Sequence, residues 1–275
     1  MTSDFGPLVL FGSGETARSG RQVHEEVLSR FPSPVRIAIL ATPAGFQPNA
    51  DAVAGRLAQF ARHSLVNHRP EVVMVDAKRR GGDDSGAGDP DDPPVAVALE
   101  GARYVFAGPG SPTYMVRQLA DTLTWAAVRR AWQAGAGLAL ASAAAVAIGA
   151  HVLPVYEIYK VGEDLGWRPG LDLCADIGLE LVIVPHWNNT EGGAGLDTSR
   201  SYVGRERFER LRELLPPSAV VVGLDEHTSC IVDAGAGTVD VRGQGTMTVL
   251  RGREETVIPA GERASIDLLR PVPVA

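Results

Sequence analysis

The chain has 275 residues, 45% of them hydrophobic and 21% charged, enough apolar material to bury a substantial core. Its formal charge of -7 argues against nucleic acid or an anionic membrane as the main partner, since both call for a concentrated basic surface. Two cysteines far apart, Cys174 and Cys230, exclude a disulfide framework and a zinc site. No apolar run reaches the roughly 18 residues of a membrane span, and Met1 to Pro7 lacks the basic start of a secretion signal. The expectation is a cytoplasmic protein that takes a small or peptidic ligand and needs no metal or organic cofactor, with a homodimer as default assembly.

Short aliphatic runs alternate with helical stretches, the pattern of a doubly wound, mainly parallel sheet flanked by helices. The first run, Leu8 to Phe11, ends in the turn Gly12-Ser13-Gly14 before an amphipathic stretch from Arg21 to Phe31. Gly12 to Glu15 has neither the dinucleotide nor the P-loop spacing, so its expected use is to turn the chain beside the ligand-binding end of the sheet. Val35 to Leu40 leads through a Pro- and Gly-bearing turn into a helix from about Ala50 to Arg62, and Val72 to Val75 follows. Residues 79–94 hold mostly Gly, Asp, Ser and Pro, which offer little to bury, and read as a flexible loop. The sheet resumes at Tyr104 to Ala107, followed by a glycine turn, helices near Tyr114 to Leu119 and Leu123 to Ala134, and the run Gly137 to Leu140.

After Ser142, the alanine-rich Ala143 to Ala150 predicts a short buried helix. Leu181 to Val184, a helix near Glu206 to Leu215 and Val220 to Leu224 complete the alternating part. Residues 228–275 form a β-rich extension. Its runs Ser229 to Asp233, Val239 to Arg242 and Thr246 to Leu250 are separated by glycines, and predict antiparallel hairpins closing one side of the sheet. No linker divides residues 1–275, so one domain is expected.

The chemistry gathers at strand ends. Leu138-Ala139-Leu140-Ala141-Ser142-Ala143-Ala144 is a buried strand ending in a serine flanked by small side chains, as a tight strand-to-helix turn requires. Such a turn lifts the hydroxyl above the strand and aims the Ala143 amide at the same spot, where it would stabilise an oxyanion. Phe106-Ala107-Gly108-Pro109-Gly110 could bring a second amide there, that of Gly110, since Pro109 has none. His186, just past Val182 to Val184, stands where a general base would emerge, and Asp225 and Glu226 offer an acid to orient it.

The order Phe-Ala-Gly-Pro-Gly, Ala-Ser-Ala-Ala-Ala, Pro-His-Trp and Gly-Leu-Asp-Glu-His-Thr resembles the cyanophycinase and dipeptidase E type serine peptidases, a branch of the class I glutamine-amidotransferase-like superfamily. The resemblance runs from the first strand through Asp233. It implies a flavodoxin-like, amidotransferase-like fold, with Ser142 as nucleophile and His186 as base. It places the acid at Glu226 in preference to Asp225, with Glu157 as the competitor by analogy with the dipeptidase branch. It also implies that an arginine after the histidine holds a substrate carboxylate; Arg200 is the candidate, since guanidinium binds carboxylate bidentately. Lys160, Trp167 and His227 are assigned to packing or pocket lining. The reading is a serine peptidase cutting a peptide or isopeptide bond near an acidic residue. Leu140 and Ala144, where the family has glycine, and Pro109 motivate the alternative of a catalytically silent ligand-binding or assembly protein.

Overall fold

The structure, a computed structural model, describes residues 5–82 and 87–271. Its elements run β1 (Leu8–Phe11), α1 (Arg18–Leu28), β2 (Arg36–Leu40), α2 (Ala50–Ser64), β3 (Glu71–Val75), α3 (Pro93–Val97), β4 (Tyr104–Ala107), α4 (Pro112–Leu119), α5 (Leu123–Gln133), β5 (Gly137–Ala141) and α6 (Ala143–Ala147). The second half continues with β6 (His151–Val152), β7 (Arg168–Pro169), β8 (Leu181–Val184), α7 (Arg205–Arg212), β9 (Val220–Leu224), β10 (Thr228–Asp233), β11 (Thr238–Gly243), β12 (Thr246–Arg251), β13 (Glu254–Pro259) and β14 (Arg263–Ser265).

The main sheet has the order β14-β11-β10-β1-β5-β4-β2-β3. Strands β1 to β5 pair in parallel, and every residue of β1, β4 and β5 is buried, as expected when helices cover both faces. Alternation along β5 divides the core. Leu138 and Leu140 pack on one face with Met115, Trp125 and Trp132 of α4 and α5, while Ala139 and Ala141 face Val23, Val27 and Leu57 of α1 and α2. The fold is therefore α/β: a mixed sheet with central parallel strands between helices, and antiparallel strands toward the C-terminus.

The hairpins do more than close one side. β10, β11 and β14 extend the main sheet beyond β1 in antiparallel fashion, whereas β8 and β9, parallel to each other, join β12 and β13 in a second, four-stranded sheet. β13 and β14 escape the sequence pattern because they are mostly exposed, so no apolar alternation marks them. Of the expected loop at 79–94, residues 83–86 lie outside the described residues; Gly88 bridges to Ala77, and α3 begins at Pro93. Among the described residues no helix is long and apolar enough to cross a membrane.

Candidate active site

Three neighbouring strands of the main sheet, β1, β5 and β4, end at nearly the same level, with Phe11 opposite Ala141 and Ala107 opposite Leu140. Their following turns, at Gly12, Ser142 and Gly108 to Gly110, are therefore brought side by side. This is the carboxyl end of a parallel sheet, where such folds collect ligands. The parallel pair β8 and β9, with Val184 opposite Gly223, delivers His186 and Glu226 from the second sheet. The two sheets are joined here by backbone: His186 N–H, just past β8, donates to the Gly12 carbonyl at 3.2 Å, while Gly12 N–H stays within the main sheet, donating to Thr228 O of β10 at 2.8 Å. Gly12 admits no side chain, because a Cβ would stand 2.2 Å from the Asp225 carbonyl oxygen.

Ser142 has φ 51° and ψ -116°, a conformation a non-glycine residue occupies at a cost on the order of 1–3 kcal/mol and one that clusters at functional turns. The Ser142 amide donates to Phe11 O, and its carbonyl accepts from Val146 N, so both neighbouring elements hold the turn. The hydroxyl reaches His186 Nε2 at 3.0 Å, and His186 Nδ1 lies 2.9 Å from Glu226 Oε1. With Nδ1–H donating to the carboxylate, Nε2 is left as the acceptor for the serine proton. A row of this order can draw a proton from the hydroxyl as it attacks a carbonyl.

Glu226 is held from several sides. Asn189 Nδ2 donates to the same Oε1 at 2.8 Å, Asn188 Oδ1 accepts from the Glu226 amide at 2.8 Å, and Asn189 is 3% exposed. Ser13 Oγ accepts from the His227 amide at 2.9 Å and hydrogen-bonds the Glu226 carboxylate. Burial raises the affinity of that carboxylate for a proton, but the hydrogen bonds from His186, Ser13 and Asn189 outweigh it and hold the pKa at about 2. The roles of Ser13, Asn188 and Asn189 went unread in the sequence.

The other acid candidates lie elsewhere. Asp225 Oδ2 accepts from the amide and hydroxyl of Thr246, fixing β12, and Glu157 Oε1 accepts from Thr113 Oγ1 at 2.5 Å. Leu140 is a core residue, 1% exposed, and does not lie over the serine hydroxyl, which opens into a cleft of about 450 Å³. Pro109, Gly110 and Ala143 line that cleft with Ser142 and His186. Gly110 is required there: a Cβ would meet Pro43 O at 1.9 Å. Ala143 begins α6, so its amide has no acceptor within the helix.

Arg200 does not line the cleft. Its guanidinium carbon lies 3.7 Å from the Trp187 ring centroid, and Nη1 donates to Trp187 O at 2.5 Å. The reason is local: Arg200, Ser201 and Tyr202 all have positive φ, at 59°, 57° and 70°, and this left-handed turn directs Arg200 onto the indole. The turn is tied to the histidine strand end by Ser201 Oγ donating to Pro185 O and by Arg200 N–H donating to Trp187 O. It leaves the Tyr202 ring 5.5 Å from that of His186. Tyr202, Tyr159, Lys160 and Glu191 also line the cleft; from the sequence, Lys160 reads as packing or lining, and Glu191 falls in the polar loop after His186 that could border a pocket.

No family model matches the chain, and no curated protein matches it. Solved structures do. A crystal structure of a peptidase from an acI-B1 Actinobacterium is similar at 21% identity and a TM-score of 0.73, over 95% of this chain and 97% of that one. A putative peptidase E protein from Listeria monocytogenes EGD-e is similar at 12% identity and a TM-score of 0.54, over 94% of this chain and 100% of that one. The fold is shared with both. At these identities the likeness concerns the arrangement of helices and strands, including the antiparallel strands of the C-terminal part.

Proposed function

We propose that the protein is a serine hydrolase, a peptidase that cleaves a peptide or isopeptide bond near an acidic residue through Ser142, His186 and Glu226. The observation that carries this reading is the continuous hydrogen-bonded row from the Ser142 hydroxyl through the imidazole to the carboxylate, built on a strained serine turn at the rim of a cleft. The names of the two similar structures, a peptidase and a putative peptidase E protein, support the choice of amide substrates.

In this mechanism Ser142 Oγ attacks the scissile carbonyl carbon while its proton passes to His186 Nε2. The imidazolium is stabilised by the Glu226 carboxylate, and the oxyanion is received by the amides of Gly110 and Ala143. Collapse of the tetrahedral intermediate breaks the C–N bond as His186 hands the proton to the leaving amine. Water, deprotonated by the same imidazole, then hydrolyses the acyl-serine and restores the hydroxyl. Asn189 and Ser13 keep Glu226 ionised and aimed. Labelling with a fluorophosphonate tests the reading: the protein takes up one equivalent and Ser142→Ala none. Wild-type protein that stays unlabelled, or a Ser142→Ala variant labelled at the same rate, would refute it.

A further inference from the structure

The cleft that holds Ser142 is asymmetric in charge. Two of its lining side chains carry charge, Lys160 and Glu191. Glu191 is engaged: its carboxylate hydrogen-bonds the Tyr202 hydroxyl, and together with burial it pushes that phenol up to about 12. Lys160 has no ion pair among the described residues, its ammonium resting 4.7 Å from the centroid of the Tyr159 ring. The rings follow one another toward the nucleophile, Tyr159 lying 5.8 Å from Tyr202 and Tyr202 5.5 Å from His186. Lys160 thus stands at the outer end of an aromatic wall whose inner end is the imidazole.

The backbone supports such a role. Lys160 belongs to the single π-turn Glu157–Val161, which ends at Gly162 with φ 81°. π-turns are rare and occur frequently at functional sites. Ile158 anchors the turn in the core at 4% exposure, while Val161 is 74% exposed and Lys160 lines the cleft, so the turn's outer end faces solvent beside the site. The arginine expected to bind a carboxylate, Arg200, is committed to Trp187. That leaves one uncommitted cation on the cleft wall.

We propose that Lys160 is the specificity-determining residue of this cleft: its ammonium pairs with a carboxylate of the substrate and holds the adjoining amide over Ser142, with Tyr159 and Tyr202 as the packing surface between the two points. The inference rests on the serine-hydrolase reading above. An ammonium acts as a compact point charge on a flexible stem, so the site reads charge and tolerates some variation in the length of the substrate's acidic arm. Arginine, equally cationic, substitutes for it with only modest loss.

Two fluorophosphonates matched in shape, one with a carboxylate arm and the other with the corresponding carboxamide, separate the possibilities. Wild-type protein is labelled at Ser142 at least about tenfold faster by the carboxylate probe, and the advantage shrinks with added salt as an exposed charge contact must. Lys160→Met loses the preference, its rate with the carboxylate probe falling to that with the carboxamide probe; Lys160→Arg retains it, and Lys160→Glu inverts it. Equal rates for both probes in wild type, or a Lys160→Met variant slowed equally toward both, overturn the assignment and leave the hydrolase reading standing. Failure of both probes to label Ser142 overturns both.

Discussion

Replacing Glu226 by Gln tests the electrostatic core of the site. The substitution preserves shape and leaves an oxygen able to accept from His186 Nδ1, now 2.9 Å away, and from Asn189 Nδ2 at 2.8 Å. It removes the negative charge that faces the imidazolium formed as Ser142 gives up its proton. For unit charges about 4 Å apart at an effective dielectric of about 20, that interaction is on the order of 4 kcal/mol. Glu226 is 26% exposed, so water screens part of it, and the expected loss is about 10²- to 10³-fold in the rate of Ser142 acylation. The assay is the pseudo-first-order rate of fluorophosphonate labelling, with urea unfolding of each variant to confirm that the native state persists. Glu157→Gln is the control: its carboxylate is bonded to Thr113, away from the histidine, and the variant labels within about twofold of wild type. If Glu226→Gln labels within tenfold of wild type, or Glu157→Gln shows the larger loss, the carboxylate that matters has been misassigned.

Two further outcomes follow from the packing around the site. Gly110→Ala puts a methyl group 1.9 Å from the Pro43 carbonyl oxygen, so the turn must move, at a cost of about 1–3 kcal/mol; labelling slows by more than tenfold while the loss of stability, read by thermal melting, stays below that of unfolding, and an unaltered rate would remove Gly110 from the oxyanion role. Buried His24 donates from Nε2 to Glu15 O and accepts at Nδ1 from the Tyr104 hydroxyl, and burial lowers its pKa from 6.5 to about 4. Because the unfolded chain binds this proton more readily, stability present above pH 6.5 is lost as the pH falls toward 4, by about 3 kcal/mol. Urea unfolding between pH 7 and 4.5 then shows a shallower pH slope for His24→Gln than for wild type, and equal slopes would contradict the assignment.

How much of this was legible in the sequence depends on the range of the interactions involved. Ser142, His186 and Glu226 each follow an apolar run by one or two residues, so their placement at strand ends needed only the local pattern of β5, β8 and β9. Bringing them into one row required the topology, in which the two sheets meet at the carbonyl of Gly12. What separates Asp225 from Glu226 lies in space: Thr246, twenty-one residues from Asp225, engages the aspartate, while Glu226 meets His186. Ser13 was invisible for the same reason: its partner His227 is separated from it by 214 positions, and the local reading of Gly12 to Gly14 could see only a turn. Arg200 was misread because the left-handed turn at Arg200, Ser201 and Tyr202 contains no glycine, so nothing in the residue types warned that the guanidinium would be directed onto Trp187.

The division of labour between the two sheets follows from what each turn must tolerate. The main sheet supplies the strained, close-packed parts, Ser142 at φ 51° and the side-chain-free approaches at Gly12 and Gly110, and its double helical cover can hold such conformations because every neighbouring strand residue is buried. The second sheet supplies the groups to which the proposed mechanism gives the proton, His186 and Glu226, both partly exposed. Strain is thus placed where packing resists its release and titration where water can follow it. The polar residues Asn188, Asn189 and Ser13 bridge the two regimes, and holding the Glu226 pKa at about 2 keeps a charged carboxylate beside the imidazole.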